Sequence, residues 1–377
     1  MANTHVEQVF PPGEILREEL ETRGWSQTDL AEILGRPAKL VNEIIAGKRT
    51  ITPETAQGLA DALGTSAALW LNLESQFQLS KAKKPDAAVA RRARLFELAP
   101  VKEMQRRGWI DDTDDPNQLE GSLCRFFEVA SLEQIRTLPH AAKKSTDYDE
   151  DVTPSQRAWV QYIRKLGEST EAAPFTDRSV RQAIQKLRGV VHSREEIRHV
   201  PRILADAGIR LVIVEPLAGT RIDGVCVWLD DSRPVIGLSL RFDRIDSFWF
   251  ALMHECGHVQ ARDGLEHPIV DIDLVGEGAI RTSDKPESEQ RADQFAAESL
   301  IPADELNGFI ARVAPLFSKE RIKGFAARLK VHPGIVVGQL QHRQQIKYSH
   351  SREMLEKVRS IVTGSALTDG WAQHSNA

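Results

Sequence analysis

The sequence predicts a multidomain chain in which an all-α domain, a helical connecting region and an α+β domain with a small antiparallel β-sheet follow one another. Residues 12–80 read as short helices separated by glycine turns. Residues 208–240 contain three β-rich runs that lead into a hydrophobic helix, an order typical of α+β rather than βαβ folds. A chain of 377 residues, 41% of them hydrophobic, is long enough for two or three cores.

The predicted boundaries divide the chain into four parts. They are an all-α helix-turn-helix domain at 1–80, a basic linker and helical connecting region at 81–194, the α+β domain at 195–305, and a helical C-terminal segment with a disordered tail at 306–377. Within residues 80–95, six Lys or Arg accompany Asp86 alone. A solvated linker or helix face is the simplest interpretation of that stretch.

Composition favours a cytoplasmic protein that does not enter a membrane. The N-terminus lacks a basic stretch followed by an apolar one, and the longest strongly apolar run, FWFALM, is far shorter than a bilayer span. Cys124, Cys226 and Cys256 lie far apart and are expected to be buried free thiols. A net charge of -5 argues against indiscriminate binding to nucleic acid.

The first domain has explicit helix start and stop signals. Ser26 opens SQTD, a capping-box pattern, and Gly35 ends that helix. A second short helix runs from about Pro37 to Ala46 and stops at Gly47, and a third is opened by Thr52 and Pro53. Two short helices joined by a tight glycine turn have the spacing of a DNA-reading helix-turn-helix, in which Gln27 is a candidate phosphate contact.

Residues 9–80 resemble lambda-repressor and Cro-type domains, and FPPGEILREELETRGWSQTDLAEILGRP followed by NEIIAGKRTITPETA is specifically similar to HigA-family antitoxins. The resemblance implies double-stranded operator DNA as a partner and a homodimer that reads paired half-sites. It places Pro37, Ala38, Lys39 and Asn42 opposite bases and Arg36, Lys48 and Arg49 near phosphates. In those positions Asn42 suits adenine and Lys39 suits guanine.

The charge of this domain keeps an alternative open. Residues 1–80 carry six Lys or Arg against eleven Asp or Glu, which is an acidic balance for a DNA-binding domain. The basic residues do cluster between positions 36 and 49. A helical protein-interaction module that has lost DNA binding is therefore the alternative interpretation.

The second half begins with a helix predicted from Ser193, with Glu196 completing its capping box, to about Ala207. The runs IRLVIV, DGVCVWL and RPVIGLSL follow, and the turn DDSR between the last two indicates an antiparallel meander. A hydrophobic helix comes next, and another helix is predicted at about 286–300.

The hydrophobic helix carries the motif HECGH. His254 and His258 lie one turn apart on the same face, so both imidazoles can bind one metal ion. Glu255 stands beside that ion, where a carboxylate can act as general base towards a water molecule. The preceding FWFALM puts Trp249 on a buried stripe and leaves the histidines at its margin.

An open catalytic zinc site needs a third protein ligand. The pattern HExxHxxGxxH fails, because Ala261 and Gly264 occupy the positions for Gly and His. The helix at 286–300 offers Glu289 as the third ligand, and Asp293, one turn later, suits a contact that fixes the tautomer of a ligand histidine. Asp293 as the direct ligand is the alternative, and a set of two histidines and one glutamate favours Zn2+.

HECGH followed by ExxADxFAAxxxxP at residues 289–302 resembles the ImmA/IrrE-type zinc metallopeptidases over about residues 195–305. The resemblance implies a zincin-like, gluzincin-type site with His254, His258 and Glu289 on zinc and Glu255 as general base. Members of that family cleave helix-turn-helix repressors, so the expected substrate is a repressor or toxin-system partner, or the chain itself. By analogy, the strand VIGLSL is expected to receive the substrate as an added extended strand.

These parts allow three functions, of which the third is a peptidase whose helix-turn-helix domain only docks the substrate. The leading hypothesis is an antitoxin-like transcriptional regulator that binds operator DNA and carries a zinc-dependent endopeptidase domain. The alternative is a HigA-like antitoxin or transcription factor whose C-terminal domain is catalytically inactive and serves only to bind a partner. The sequence does not assign an oxyanion-stabilising residue.

Overall fold

A computed structural model describes residues 9–82, 87–136, 143–144, 152–280 and 285–370 of the chain. The chain divides into two compact units, Met1–Ala87 and Ala88–Ala377, which are described separately. No helix within the described ranges is both long and apolar enough to cross a membrane. Part of the predicted linker, 83–86, and the end of the predicted tail, 371–377, lie outside the described residues.

The first unit consists of α1 (Pro12–Arg23), α2 (Gln27–Ile33), α3 (Ala38–Ile45), α4 (Pro53–Leu63) and α5 (Ala67–Lys81). The predicted helix signals are confirmed, since Ser26 and Asp29 form a capping box before α2 and Thr52 caps α4. Gly64 takes the left-handed conformation that ends α4. A single buried core joins the helices, and it includes the fully buried Trp70 of α5.

The second unit begins with α6 (Ala87–Leu98), α7 (Val101–Arg106), α8 (Pro116–Phe127), α9 (Leu132–Arg136), α10 (Pro154–Glu168), α11 (Asp177–Val190) and α12 (Val200–Ala205). The second half of the predicted basic linker is thus helical. Its positive charge is partly neutralised, because Arg91 lies 2.8 Å from Glu120 and Arg94 lies 2.5 Å from Glu133.

The helix predicted from Ser193 to Ala207 is only partly correct. Residues Glu195–His199 form a 3-10 segment without a side-chain cap, and α12 starts afresh at Val200. A proline stands in the first turn of α12, and proline cannot donate the backbone hydrogen bond that a continuous helix would need there.

The strands β1 (Lys143–Lys144), β2 (Arg210–Ile213), β3 (Ile222–Trp228), β4 (Pro234–Leu238), β5 (Ile269–Ile272) and β6 (Leu367–Thr368) form one sheet in the order β1-β5-β3-β4-β2-β6. β3 is antiparallel to β4 and to β5, whereas β2 is parallel to β4. The predicted antiparallel meander is therefore right for β3 and β4 and wrong for β2, and the sheet is mixed. Residue alternation identifies the two faces of a strand but not its neighbour.

The position of β4 also overturns the expectation that the strand VIGLSL receives a substrate. β4 lies between β3 and β2 and is hydrogen-bonded to both. A peptide can only join a strand that has an unpaired edge. An added strand at β4 is therefore excluded in this fold.

One face of the sheet packs on α10. Val212 of β2, Val225 of β3 and Val235 of β4 share a core with Trp159 and Ile163 of that helix. The contact is close, because a Cβ atom added to the glycine at 237 would lie 2.8 Å from the Cδ1 atom of Ile163. The predicted division at residue 194 thus separates α10 from the sheet on which it packs.

On the other face of the sheet lies α13 (Ile245–Ala261), which shares a core with α14 (Glu287–Leu300), α15 (Ala303–Val313), α16 (Lys319–Leu329), α17 (Pro333–His342) and α18 (Arg359–Thr363). Leu211 and Ile236 from the strands share a core with Trp249 and Leu252 of α13. The helix predicted at 286–300 is confirmed as α14. The HECGH helix is thus held between the sheet and a layer of helices.

Candidate metal centre and nucleic-acid interface

The HECGH residues lie in the second half of α13, where His254, Glu255, Cys256 and His258 are fully buried and Gly257 is half-buried. The apolar stripe predicted around Trp249 is confirmed, because that side chain is 0% exposed. The expectation that the histidines lie at the margin of this stripe is wrong, since His254, Glu255 and His258 are each 0% exposed as well. The strand layer on one side and α14 on the other enclose this part of the helix.

The inner ring nitrogens of the two histidines converge with the carboxylate of Glu289. The Nε2 atoms of His254 and His258 are 3.0 Å apart. Glu289 Oε2 lies 3.1 Å from His254 Nε2, and Glu289 Oε1 lies 3.4 Å from His258 Nε2. The fold therefore brings together the three residues that the sequence predicts as metal ligands.

A fourth candidate ligand, Asp271 on β5, is one that the sequence analysis missed. Its Oδ1 atom lies 3.5 Å from His254 Nε2, and the side chain is fully buried. One ligand atom from each of Asp271, His254, His258 and Glu289 lies within 4.8 Å of the other three. Alternation along PIVDID places Asp271 on the same face as Ile269, so an acidic residue inside an apolar strand was the available signal.

Carboxylates hold the outer nitrogens of both histidines. His254 Nδ1 lies 3.0 Å from Asp293 Oδ1, so Asp293 stands beside the histidine for which it was predicted, and Lys285 Nζ donates to both oxygens of that carboxylate at 3.0 and 2.8 Å. His258 Nδ1 lies 3.0 Å from Asp263 Oδ2. Each contact leaves Nε2 as the nitrogen that faces the centre. Asp263 was missed, because nothing in the loop after α13 distinguishes it in sequence.

Glu255 points towards the sheet and lies against β3 at Gly224. A Cβ atom at Gly224 would collide with Glu255 Oε1, so glycine at this position leaves room for the carboxylate as it is placed. The register of β3 and β5 shifts between Ile222 and Gly224, which marks a bulge at the same place. A glycine inside a strand indicates such a close approach, and this signal in DGVCVWL was overlooked.

The charges of the centre shift the pKa values of its groups. Burial lowers the pKa of His254, but the neighbouring carboxylates, Asp271 foremost, raise it well above its ordinary value. Burial also lowers the pKa of His258, and hydrogen bonds to carboxylates, that to Asp263 foremost, raise it to about 8. Burial, followed by the charge of Asp271, raises the pKa of Glu255 well above its ordinary value.

The donor set fits a divalent cation. Glu255, Asp271 and Glu289 are fully buried. Both side-chain oxygens of the first two, and Oε1 of Glu289, accept no hydrogen bond from the described part of the chain. Buried carboxylates without donors are costly, and a cation at the convergence point would satisfy them. Imidazole nitrogen and carboxylate oxygen are the ligands of catalytic Zn2+ sites.

The residues predicted to contact DNA all lie on the surface of the first unit, around α3. The exposed residues are Gln27, Arg36, Pro37, Ala38, Lys39, Asn42, Lys48 and Arg49. The opposite side of α3 buries Val41, Ile44 and Ile45 in the core. This division fixes the rotation of α3 and presents Lys39 and Asn42 outward together.

Two family models match the chain. Residues 16–70 match the model described as Helix-turn-helix, and residues 205–343 match the model described as IrrE N-terminal-like domain. The first match lies within α1 to α5, and the second contains the sheet strands β2 to β5 with α13 and α14. The metal-site candidates therefore lie inside the second matched region.

Curated relatives match the N-terminal part. The chain is 32% identical over 73 residues to the uncharacterized HTH-type transcriptional regulator YddM of Escherichia coli (strain K12), which is 19% of this chain and 78% of that protein. It is 38% identical over 79 residues to virulence-associated protein I of Dichelobacter nodosus, covering 21% of this chain and 73% of that protein.

Solved structures match the same part. A HigA-family addiction module antidote protein from Coxiella burnetii is 40% identical, with a TM-score of 0.19, over 20% of this chain and 82% of that chain. Pseudomonas aeruginosa antitoxin HigA, solved with the higBA promoter, is 37% identical, with a TM-score of 0.19, over 20% of this chain and 82% of that chain. The chain thus joins a helix-turn-helix region to a region that matches the IrrE N-terminal-like domain.

Proposed function

We propose that this chain is a DNA-binding transcriptional regulator with a zinc-dependent endopeptidase centre. The chain belongs to the helix-turn-helix family through residues 16–70 and carries an IrrE N-terminal-like domain at residues 205–343. The convergence of His254, His258 and Glu289 beside an unpartnered Glu255 is the observation that carries the peptidase part. The outward face of α3 carries the DNA-binding part.

Each residue of the centre has a distinct task in this proposal. His254, His258 and Glu289 would hold Zn2+, and Asp271 lies within reach of the same point without being needed as a ligand. Bound zinc supplies Lewis acidity to water and to the peptide carbonyl. Glu255 accepts the proton of the attacking water and delivers it to the leaving amine.

The carboxylates behind the histidines orient them in the same proposal. Asp293 keeps the Nε2 atom of His254 directed at the centre, and Asp263 does the same for His258. Lys285 neutralises Asp293 and holds it in place, because its ammonium group contacts both carboxylate oxygens. These contacts fix the ligand geometry before a metal ion binds.

The substrate class we propose is a protein partner of the regulatory system, either a repressor or toxin partner or a copy of this chain. The first unit would bind double-stranded operator DNA as a homodimer, with Lys39 and Asn42 facing bases and Arg36, Lys48 and Arg49 facing phosphates. Joining the two parts in one chain lets proteolysis act as a switch on DNA binding.

A second candidate function is favoured by one observation. His254, Glu255, His258, Asp271 and Glu289 expose no surface, so a peptide bond cannot reach them without a movement of the chain. A metal ion in a centre closed by four protein ligands would be structural. On this reading the chain is a HigA-like antitoxin whose C-terminal unit binds a partner and does not cleave it.

The substitution Glu255→Gln separates the two candidates. Cells that produce the wild type, Glu255→Gln or the control Glu266→Gln are compared by mass spectrometry of newly formed protein N-termini, and zinc is measured in each purified chain. The proposal predicts new termini for the wild type and for Glu266→Gln, and none for Glu255→Gln, with zinc retained in all three. Identical termini in all three would support the partner-binding function.

A further inference from the structure

The turn after α3 folds back onto the helix and brings Arg49 to the carboxylate of Glu43. The backbone N–H groups of Lys48 and Arg49 donate to the carbonyl oxygen of Glu43 at 2.8 and 3.2 Å. Gly47, with a φ of 65°, permits this reversal. Glu43 is therefore the point around which the charged part of the helix-turn-helix surface is arranged.

The side chain of Glu43 pairs with two of the predicted DNA contacts. Its Oε1 atom lies 3.8 Å from Lys39 Nζ, and its Oε2 atom lies 3.2 Å from the Nη1 atom of Arg49. The Glu43 side chain is 29% exposed, compared with 83% for Lys39 and 53% for Arg49. The carboxylate thus lies deeper on the surface than the two cations, and each of its oxygens serves one of them.

The ion pairs of Glu43 with Lys39 and Arg49 are weak enough for a DNA phosphate to replace the carboxylate. Exposed ion pairs contribute little, and a lysine four residues before a glutamate is the less favourable order on a helix. A DNA phosphate can therefore take Lys39 and Arg49 away from Glu43. The exchange leaves the Glu43 carboxylate unpaired beside a polyanion, which is unfavourable unless the DNA offers it a hydrogen-bond donor.

In the major groove, the exocyclic N4 amine of cytosine is the donor that pairs with a glutamate carboxylate. We propose that Glu43 is a specificity-determining residue, which holds Lys39 and Arg49 back from arbitrary DNA and releases them where a cytosine donates to its carboxylate. This inference rests on the proposed binding of duplex DNA by the first unit. It also gives a role to a carboxylate in the middle of a DNA-reading surface.

The test compares Glu43→Gln with a control that removes the same charge elsewhere in the unit. Glu32 is exposed on α2, and no ion pair of this residue is found among the described residues. Glu32→Gln therefore changes the net charge as Glu43→Gln does, without freeing Lys39 or Arg49. Both variants and the wild type are used as full-length chains.

Two duplexes serve as probes, one selected by the wild-type chain from a random library and one scrambled to the same composition. Dissociation constants are measured over a range of about 50 to 200 mM salt. For Glu43→Gln we expect affinity for the scrambled duplex to rise about tenfold and its salt slope to steepen by about 1 to 2, one increment for each freed cation. Affinity for the selected duplex should stay level or fall, and Glu32→Gln should keep the wild-type ratio between the two duplexes.

Repeating the library selection with Glu43→Gln gives a second readout. We expect a position that is cytosine in the wild-type site to lose that preference, because a neutral amide replaces the carboxylate. Equal effects of Glu32→Gln and Glu43→Gln, or an unchanged ratio and unchanged selected site, would overturn the inference. Failure of the wild type to select any duplex would instead refute the DNA-binding function itself.

Discussion

The two charged clusters of this chain differ in what surrounds them. The α3 cluster of Lys39, Glu43 and Arg49 lies in water, with side chains that are 83, 29 and 53% exposed. The centre on α13 combines histidines with acidic side chains that are 0% exposed. Water screens the first cluster, whereas the low-dielectric interior strengthens every interaction in the second.

This difference in burial determines how strongly one substitution affects stability and binding in each cluster. A residue of the α3 cluster can exchange its partner for water or phosphate at little cost, so its contribution is local and salt-dependent. A residue of the metal centre leaves others buried and unpaired when it is removed. We therefore expect substitutions in the metal centre on α13 to have large effects that depend on one another, and substitutions in the α3 cluster to have small, independent effects.

The largest expected effect is that of His254→Ala. Loss of this side chain removes a ligand and also leaves Asp293 and Glu289 without their histidine partner, so we expect the free energy of unfolding to fall by about 3 to 5 kcal/mol. Denaturant unfolding of the full chain in the presence of zinc measures it. As the matched control, His267→Ala should cost far less and keep the metal. Similar losses for both variants would contradict a special role for the α13 cluster.

The pH dependence of metal binding comes next in size. A histidine binds metal only when it is neutral, and the pKa of His258 in the folded chain is about 8. Metal affinity should therefore fall about tenfold per pH unit below 8 for this proton alone, and the raised pKa of His254 should add to the fall. Proton release on zinc binding, measured by titration calorimetry in two buffers, should decrease as pH rises through 8. Affinity that is flat between about pH 6 and 8 would be incompatible with this expectation.

For the metal-free chain, the same pKa shift predicts the opposite pH dependence, because the stability of the fold decreases as pH rises. Because the folded-state pKa of His258 is raised above its ordinary 6.5, protonation stabilises the metal-free fold below that value. This stabilisation is lost as pH rises from 6.5 through about 8. The stabilisation conferred by zinc should therefore be larger at the upper end of this window than at the lower end.

A smaller effect is expected for Asp263→Asn. The carboxylate contacts His258 Nδ1 at 3.0 Å and stands outside the set of candidate ligands. Loss of such a partner typically lowers metal affinity 10- to 100-fold, and we expect a change of about that size. Competition with a chelator of known affinity measures it, with Asp273→Asn, just after β5 and outside the candidate ligand set, as a control. Unchanged affinity would mean that the contact does not orient the ligand.

The smallest effect is expected for Lys48→Ala, in the exposed turn after α3. If Lys48 contacts a phosphate, the variant should weaken binding to every duplex alike and reduce the salt slope by about 0.9. Arg17→Ala on α1 removes the same charge outside the helix-turn-helix surface and should leave the slope unchanged. A loss confined to the selected duplex would indicate a base contact instead.

The sequence made the exposed cluster easier to predict than the buried one. The residues of α3 and its turn lie within a short stretch, so helical periodicity and Gly47 suffice to place them on one surface. HECGH is equally local, and Glu289 follows from the face of its own helix. Asp271 could not be assigned in the same way, because its place depends on which strand pairs with β3.

The same distinction between local and long-range features applies to the prediction of the fold. Caps at Ser26 and Thr52 and the extent of α14 are local properties and are confirmed. The parallel pairing of β2 with β4, and the packing of α10 on the sheet, join segments that are distant in sequence. Periodicity determines which side of an element is buried, whereas the partner on that side depends on the tertiary fold.

The most direct measurement is the zinc content of the purified full-length chain, compared with Glu289→Ala, Asp271→Asn and Asp293→Ala. We predict about one zinc per chain in the wild type, none in Glu289→Ala, weaker retention in Asp271→Asn, and the mildest loss in Asp293→Ala, which acts through His254. A wild type that holds no zinc after purification and binds none when zinc is added would contradict the proposed metal centre.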